Sequence, residues 1–175
     1  MLSKLGLAMK VVVISDSHDN QEAVEQFLKE IREVEFNMLI HAGDIISPFT
    51  LKKFTGFPFY GVYGNNDGER QILSKIAREN NMVLEEQPLF IEKDGYRIVI
   101  VHGVGGSEKT KKLVEALGKS GLFDLVVYGH LHIIDVQKIG DTIVLNPGTL
   151  AGYLAEKKTY AIVDLDKKIV EIREL

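Results

Sequence analysis

The apolar residues of the chain fall into short β-branched runs that are separated by polar and glycine-containing segments. Residues 10–15 (KVVVIS) form a continuous run of this kind, which is typical of a strand buried on both faces. Comparable runs predict buried strands at residues 38–42, 59–63 and 125–128. These four segments are therefore expected to form the interior of a β-sheet structure.

Segments with apolar residues at helical spacing alternate with these strands. Asn20 can cap a helix that runs to about residue 35, and its core-facing positions are Ala23, Phe27, Leu28 and Ile31. Further helices are predicted at residues 47–54, 70–79 and 108–119, the first with Pro48 in its first turn. In the helix at 70–79, the residues expected to face the core are Ile72, Ile76 and Ala77.

The second half of the chain is richer in short strands. Asp94-Gly95 is a strong signal for a two-residue hairpin between strands at 89–93 and 96–101. Beyond residue 133 the pattern predicts strands at 134–139, 142–145, 160–164 and 169–173. Alternating strands and helices followed by a β meander predict an α/β fold of two mixed β-sheets packed face to face, with helices on the outer faces (an α-β-β-α sandwich).

Length and composition narrow the class of protein. The 175 residues suit one domain, which we expect to span 9–175, because Met9-Lys10 resembles a natural start and residues 1–8 resemble an unstructured extension. A net charge of −4 provides no basic surface for a nucleic-acid backbone. The absence of cysteine excludes thiolate metal sites. No apolar run approaches the roughly 20 residues of a membrane span, so a cytoplasmic location is expected.

Side chains that divalent metals favour follow five predicted strands. They are Asp16 and His18, Asp44, Asn65, His102, and His130 with His132. Because loops at the carboxyl ends of strands present side chains from one edge of a sheet, these groups are expected to meet. If Asp16-x-His18 and His130-x-His132 are extended, both members of each pair face one side. Taken alone, Asp-x-His, Gly-Asp and Gly-Asn are more often caps or turns than ligands, and Gly-His-x-His is evenly balanced. Their joint occurrence in this order favours a metal site.

The order Asp-x-His, Gly-Asp, Gly-Asn, His, Gly-His-x-His resembles that of the calcineurin-like metallophosphoesterase superfamily. The resemblance spans residues 16–132, and the turn at 146–149 (NPGT) is also similar. The short chain further resembles the small prokaryotic phosphodiesterases of this superfamily, which lack a cap domain. It implies a phosphodiesterase that attacks its substrate with a metal-activated water.

The resemblance also implies roles for individual residues. One divalent ion would bind Asp16, His18 and His132, a second would bind Asn65, His102 and His130, and Asp44 would bridge both. Manganese, nickel, zinc, iron and cobalt all suit such oxygen and imidazole ligands. Asp44, Asn65, Asn66 and His102 would be the catalytic residues.

One position departs from the family pattern. Many members have histidine after Gly-Asn, where it is thought to protonate the leaving oxygen, whereas this chain reads Gly64-Asn65-Asn66-Asp67. Asn66 cannot act as an acid, although its amide can donate a hydrogen bond to a phosphoryl oxygen. Asp67 would lose the imidazole that it otherwise orients. Activated phosphodiesters are therefore the expected substrates.

Several alternatives stay open at this level. The retromer scaffold subunit resembles this fold, so a non-catalytic or weakly catalytic protein-binding scaffold is the second hypothesis, although all seven ligand positions are kept. Short oligonucleotides are a further substrate class, and a homodimer or higher homo-oligomer is a further expectation. His41 could be a hydrogen-bonded core residue or a support for Asp44. Asn20 could contact substrate or cap its helix.

Overall fold

The computed structural model describes residues 8–175 as two β-sheets with four helices. The first sheet contains, in spatial order, β11 (Ile169–Glu174), β10 (Thr159–Asp164), β1 (Lys10–Ile14), β2 (Met38–His41), β3 (Phe59–Val62) and β4 (Val83–Glu85). The second contains β5 (Leu89–Lys93), β6 (Tyr96–Ile100), β7 (Leu125–Val127), β9 (Thr142–Pro147) and β8 (Ile134–Ile139). The helices are α1 (Gln21–Ile31), α2 (Pro48–Lys53), α3 (Arg70–Glu79) and α4 (Ser107–Lys119).

Both sheets are mixed. Strands β1 to β4 run parallel, and β10 and β11 add antiparallel pairs at one edge. In the second sheet β6, β7 and β9 run parallel, while β5 and β8 pair antiparallel at the two edges. The predicted α/β class with two mixed sheets is confirmed.

The central strands are apolar along their length because both of their faces are covered. In β1, Val11 and Val13 face the second sheet, whereas Val12 and Ile14 pack under the helices. Helices α1, α2 and α3 cover the outer face of the first sheet, and α4 covers that of the second around Val114. The continuous β-branched run of β1 is thus the expected sequence for a strand between a helical layer and another sheet.

Most local signals hold, and three element predictions need correction. Asp94 and Gly95 form the hairpin turn with φ of 50° and 84°, as a two-residue hairpin requires. Helix α1 ends at Ile31 rather than near residue 35. In α3 the prediction for Ile72 is wrong, because Ile72 is 50% exposed and Leu73 is fully buried. Strand β4 was not predicted.

The other predictions concern the chain ends and surface. The proposed extension at residues 1–8 lies, apart from Ala8, outside the described residues. Within 8–175, no helix combines the length and apolar character needed to cross a bilayer. Beside Pro58, the aromatic residues Phe59 and Tyr63 are buried.

Backbone hydrogen bonds join the carboxyl ends of strands from both sheets. Asp16 N donates to Gly43 O at 3.0 Å, which links the segments after β1 and β2. Gly129 N donates to His102 O at 3.0 Å, which links the segments after β7 and β6. His130 N donates to Asp16 Oδ2 at 3.0 Å and connects the two sheets. The predicted polar segments therefore meet at one end of the sandwich.

Candidate metal centre

Left-handed backbone conformations turn the polar segments back on themselves. The residues of both Asp-x-His and His-x-His have positive φ: Asp16 at 53°, His18 at 42°, His130 at 69° and His132 at 54°. The expectation of extended segments is therefore wrong. The side chains still converge because the turns redirect them, and non-glycine residues in this region are uncommon outside special turns and functional sites.

Three polar groups crowd together after β1 and β7. His18 Nε2 lies 3.1 Å from His132 Nε2. Asp16 Oδ1 lies 3.2 Å from His132 Nε2 and 3.8 Å from His18 Nε2. This oxygen is buried and has no hydrogen-bond partner among the described residues. A buried carboxylate oxygen and two ring nitrogens at these distances require a cation or a proton between them.

The protonation equilibria reflect this crowding. The pKa of His132 is raised, first by its contact with Asp16, because the carboxylate favours the charged ring. The pKa of His18 is lowered, first by burial, which disfavours its charged form. One ring is thus held neutral while its neighbour attracts positive charge.

Asp44 lies between this group and the remaining predicted ligands. Its Oδ2 atom is 3.5 Å from His18 Nε2 and 3.5 Å from His102 Nε2. His102 Nε2 is in turn 2.9 Å from Asn65 Oδ1. The His130 ring lies with its centroid 5.0 Å from that of His102. The structure therefore brings all seven predicted side chains into one connected cluster.

Backbone carbonyls fix the tautomers of three histidines. His102 Nδ1 lies 2.8 Å from Ala42 O, His132 Nδ1 lies 2.7 Å from Tyr153 O, and His130 Nε2 lies 2.7 Å from Gly105 O. A carbonyl oxygen only accepts hydrogen bonds, so the ring nitrogen facing it carries the proton. In the neutral ring the other nitrogen keeps its lone pair for a metal ion, which is the usual arrangement of metal-binding histidines. The donor set therefore fits divalent metal ions.

Two glycines are required by the close approach of the carboxylates. A Cβ atom on Gly64 would lie 2.1 Å from Asp44 Oδ1. One on Gly129 would lie 2.0 Å from Ser15 Oγ and 2.9 Å from Asp16 Oδ2. Any side chain at either position would displace a predicted ligand.

Asp67 has a role that the sequence did not reveal. Its carboxylate accepts hydrogen bonds from Asp44 N at 3.0 Å, Ile46 N at 2.6 Å and Gly64 N at 2.7 Å. The side chain is buried, and burial raises its pKa. Asp67 has no imidazole to orient, and its carboxylate fixes the backbone around Asp44 instead. Its spacing from Gly64 is a turn signal and carries no indication of this role.

Gln87 supports the segment of His102 in a similar way. Its Oε1 accepts from His102 N at 2.7 Å and Gly103 N at 3.1 Å, and its Nε2 donates to Gly103 O at 3.0 Å. The residue lies 15 positions before His102 in the chain. No local sequence pattern indicates this contact.

His41 and Asn20 occupy supporting positions. His41 is fully buried, its Nδ1 accepts from Gly43 N at 3.2 Å, and its Nε2 lies 2.9 Å from Ser17 Oγ. Burial lowers its pKa to about 3, so the ring is neutral and steadies the turn before Asp44. Asn20 Oδ1 accepts from Ala23 N at 3.1 Å, as a helix cap does, and its Nδ2 donates to Ala151 O at 3.1 Å.

Asn66 donates two hydrogen bonds to Asp44. Its backbone N donates to Asp44 Oδ1 at 2.8 Å, and its side-chain Nδ2 donates to Asp44 Oδ2 at 2.8 Å. Asn66 is nevertheless exposed at the rim of the cluster. It can therefore reach a group bound at the mouth of the site.

Comparisons with known proteins show which family the chain is similar to. Residues 9–168 match the model of the calcineurin-like phosphoesterase superfamily domain. A phosphodiesterase of Methanocaldococcus jannaschii is 34% identical over 172 residues, covering 95% of this chain and 98% of that protein. A solved structure described as a novel archaeal phosphodiesterase superposes with a TM-score of 0.85 and 32% identity, covering 95% of this chain and 100% of the other.

A more distant structure shares the fold alone. Vps29 of Chaetomium thermophilum superposes with a TM-score of 0.69 at 14% identity, covering 96% of this chain and 97% of that one. The family match extends over nearly all of the described residues, and the resemblance found in the sequence is thereby confirmed. This chain belongs to the calcineurin-like phosphoesterase superfamily.

Proposed function

We propose that this phosphoesterase is a phosphodiesterase that works with two divalent metal ions. Asp16, His18 and His132 would hold one ion, and Asn65, His102 and His130 the other. Asp44 would contact both. Manganese, nickel, zinc, iron and cobalt are all compatible with this mixture of carboxylate, amide and imidazole ligands.

The position of Asp44 carries the proposal. One oxygen of its carboxylate lies 3.5 Å from a ring nitrogen on each side, His18 Nε2 and His102 Nε2. A carboxylate oxygen that lies at the same distance from two ring nitrogens is suited to bind two metal ions, one on each side. Asp16 Oδ1, which is buried without a hydrogen-bond partner among the described residues, supports the same conclusion on one side of Asp44.

The chemistry follows from the ligand set. Bound ions would lower the pKa of a water molecule and neutralise the charge that develops on the phosphoryl oxygens. The protein supplies rings whose tautomers are fixed by Ala42 O, Tyr153 O and Gly105 O. Ser15 and Ser17 are fully buried and hydrogen-bonded within the cluster, so a serine nucleophile is not part of the proposal.

Asn66 sets the preference among esters. It occupies the sequence position at which many members of the family carry a histidine thought to protonate the leaving oxygen, and its amide can donate a hydrogen bond without transferring a proton. Protonation of a leaving group commonly contributes about 10²- to 10⁴-fold in rate. Small diesters with good leaving groups, such as aryl phosphodiesters, are therefore the proposed substrates. Short oligonucleotides are a weaker candidate because the net charge is −4.

Metal reconstitution tests the proposal. The full chain is stripped of metal, and hydrolysis of bis(p-nitrophenyl) phosphate and p-nitrophenyl phosphate is followed before and after adding Mn²⁺, Ni²⁺ or Zn²⁺. We expect turnover that depends on metal and favours the diester. If no metal restores turnover of either ester, the hypothesis of a protein-binding scaffold replaces this one.

A pair of variants tests the bridging role. Asp44→Asn should lower metal content from two ions per chain and reduce diester turnover by more than about 100-fold, because even indirect supports of metal ligands contribute 10- to 100-fold. Glu92→Gln also replaces a carboxylate by an amide, at an exposed position of β5, and should change neither metal content nor diester turnover. Two ions bound at wild-type affinity in Asp44→Asn would show that the bridge is assigned wrongly.

A further inference from the structure

An exposed aromatic side chain lies directly beside the proposed metal ligands. Tyr153 is 51% exposed, and its ring centroid is 5.6 Å from that of His18. The next residue, Leu154, is 95% exposed. Apolar surface left in water is unfavourable by about 25 cal/mol per Å² relative to burial, so this rim gains stability from an apolar group that covers it.

The segment that carries Tyr153 is held by the ligand turns themselves. Ala151 N donates to Asp16 O at 3.2 Å, and Asn20 Nδ2 donates to Ala151 O at 3.1 Å. Tyr153 O accepts the proton of His132 Nδ1 at 2.7 Å. The backbone of Tyr153 is thus held beside the cluster, and the contact with the His18 ring keeps the aromatic side chain there. A ring fixed in advance loses little conformational entropy when another ring stacks on it.

We propose that Tyr153 stacks on an aromatic ring of the substrate, so that the preferred phosphoric esters carry an aryl group or a nucleobase. This inference rests on the proposed function, because it requires the phosphoryl group to bind at the cluster. Aromatic rings attract each other in offset or edge-to-face arrangements beyond the effect of buried area. Stacking also recognises a ring without basic side chains, which suits a chain with a net charge of −4.

The test compares ligands that share a phosphate and differ in the organic group. Binding of methyl phosphate, phenyl phosphate and thymidine 5′-monophosphate to the full, Mn²⁺-loaded chain is measured by calorimetry. We expect the two aromatic ligands to bind about fivefold more tightly than methyl phosphate, or better, as for one stacked ring. Preference for both indicates recognition of any aromatic ring, whereas preference for the thymidine ligand alone indicates a nucleobase.

Variants of Tyr153 separate stacking from a structural role. Tyr153→Ala should remove the aromatic preference and leave methyl phosphate binding unchanged. Tyr153→Phe should keep the preference, while Tyr153→Leu should lose most of it although an apolar side chain remains. Phe90→Ala removes another aromatic side chain, 60% exposed on β5, and should change none of the three affinities.

Two results would overturn the inference. One is an aromatic preference that persists in Tyr153→Ala. The other is an equal loss of affinity for all three ligands in Tyr153→Ala, which would mean that Tyr153 only shields His18 and His132. Metal-dependent turnover of bis(p-nitrophenyl) phosphate without any aromatic preference would refute this inference alone. Failure of all three ligands to bind the wild-type chain, together with absent turnover, would refute the proposed function as well.

Discussion

Left-handed backbone conformations are frequent among the residues that we propose as ligands. Five of the seven are non-glycine residues with positive φ, namely Asp16, His18, Asp44, His130 and His132. A left-handed conformation costs an L-residue with a Cβ atom roughly 1–2 kcal/mol. Hydrogen bonds from Asp44 N to the Asp67 carboxylate and from Asp16 N to Gly43 O hold two of these conformations in place. Such a cluster of unfavourable conformations is typical of a functional site.

Single residues differ in how much their sequence context reveals. The candidate ligands could be recognised because each follows a buried apolar run, where a polar side chain has a clear place at a strand end. Asp67 and Gln87 could not be recognised, because their partners are backbone atoms that only the tertiary fold brings near. The roles of the ligands themselves stay predictions until metal is measured.

Asn66→His is expected to raise monoester turnover relative to diester turnover by at least about 10-fold, because the imidazole can protonate a poor leaving group. Asp67 already accepts hydrogen bonds from three backbone N–H groups, so it does not orient the new ring. The gain in the ratio of monoester to diester turnover should therefore stay near about 10-fold. The ratio of kcat/KM for p-nitrophenyl phosphate and bis(p-nitrophenyl) phosphate measures the effect. Asn66→Ala provides no proton and should leave this ratio unchanged; an unchanged ratio in Asn66→His would contradict the argument.

His41 should make stability depend on pH between about 6.5 and 3. Burial lowers its pKa to about 3, so in this range the unfolded chain binds a proton that the folded chain excludes. Stability should therefore be complete above pH 6.5 and decline as the pH falls. The contribution of this residue is at most about 1.4 kcal/mol per pH unit.

The comparison uses metal-free wild type and His41→Asn, in which an amide oxygen can still accept from Gly43 N. Free energies of unfolding from urea titrations at pH 7, 6, 5 and 4 should fall less steeply in the variant. The carboxylates Asp16 and Asp67 titrate in both proteins, so their contributions largely cancel in the difference. Equal slopes would mean that His41 titrates alike in the folded and unfolded chains.

At the level of elements, prediction succeeded where a pattern was long enough to carry a signal. The run of β1 and the hairpin at Asp94 and Gly95 are local features, and the structure contains both. Strand β4 has only three residues and exists because it pairs with β3, which no local pattern indicates. In α3 the apolar residues, including Ile72 and Leu73, cover a wide face of the helix. Their spacing in the sequence does not decide which of them is buried, and the packing against the sheet does.

Helix α3 allows that correction to be tested with a matched pair. Leu73 is fully buried under the first sheet, so Leu73→Ala should destabilise the protein by about 2–5 kcal/mol. Ile72 is 50% exposed, and Ile72→Ala should change stability by no more than about 0.5 kcal/mol. Urea denaturation of both variants measures the difference. A larger effect at Ile72 than at Leu73 would restore the original assignment.

At the level of the whole molecule, the two-sheet arrangement explains why the cluster forms at all. Ligands from β1, β2 and β3 belong to one sheet, and those from β6 and β7 belong to the other. Packing the sheets face to face aligns both sets of strand ends, and His130 N to Asp16 Oδ2 joins them. The site therefore spans the interface between the sheets, so the integrity of the sandwich and metal binding should depend on each other.

Metal should consequently stabilise the entire fold. A ligand that binds only the folded chain at 100 times its Kd adds about 2.7 kcal/mol to the free energy of unfolding. For a chain of this size, that corresponds to a rise in Tm of roughly 5–10 °C. The effect should be larger than that of an ordinary surface ion, because metal also offsets the crowding of His18, His132 and the buried Asp16 Oδ1.

Calorimetric scans of the stripped chain with increasing Mn²⁺ measure this linkage. Tm should rise with metal concentration in wild type and in Glu92→Gln, and much less in Asp44→Asn. Asp44→Asn should also shift the Tm of the stripped chain, since Asn66 N and Nδ2 donate to its carboxylate, so the rise rather than the absolute Tm is compared. A Tm that does not respond to Mn²⁺, Ni²⁺ or Zn²⁺ would show that the two sheets are held together independently of metal.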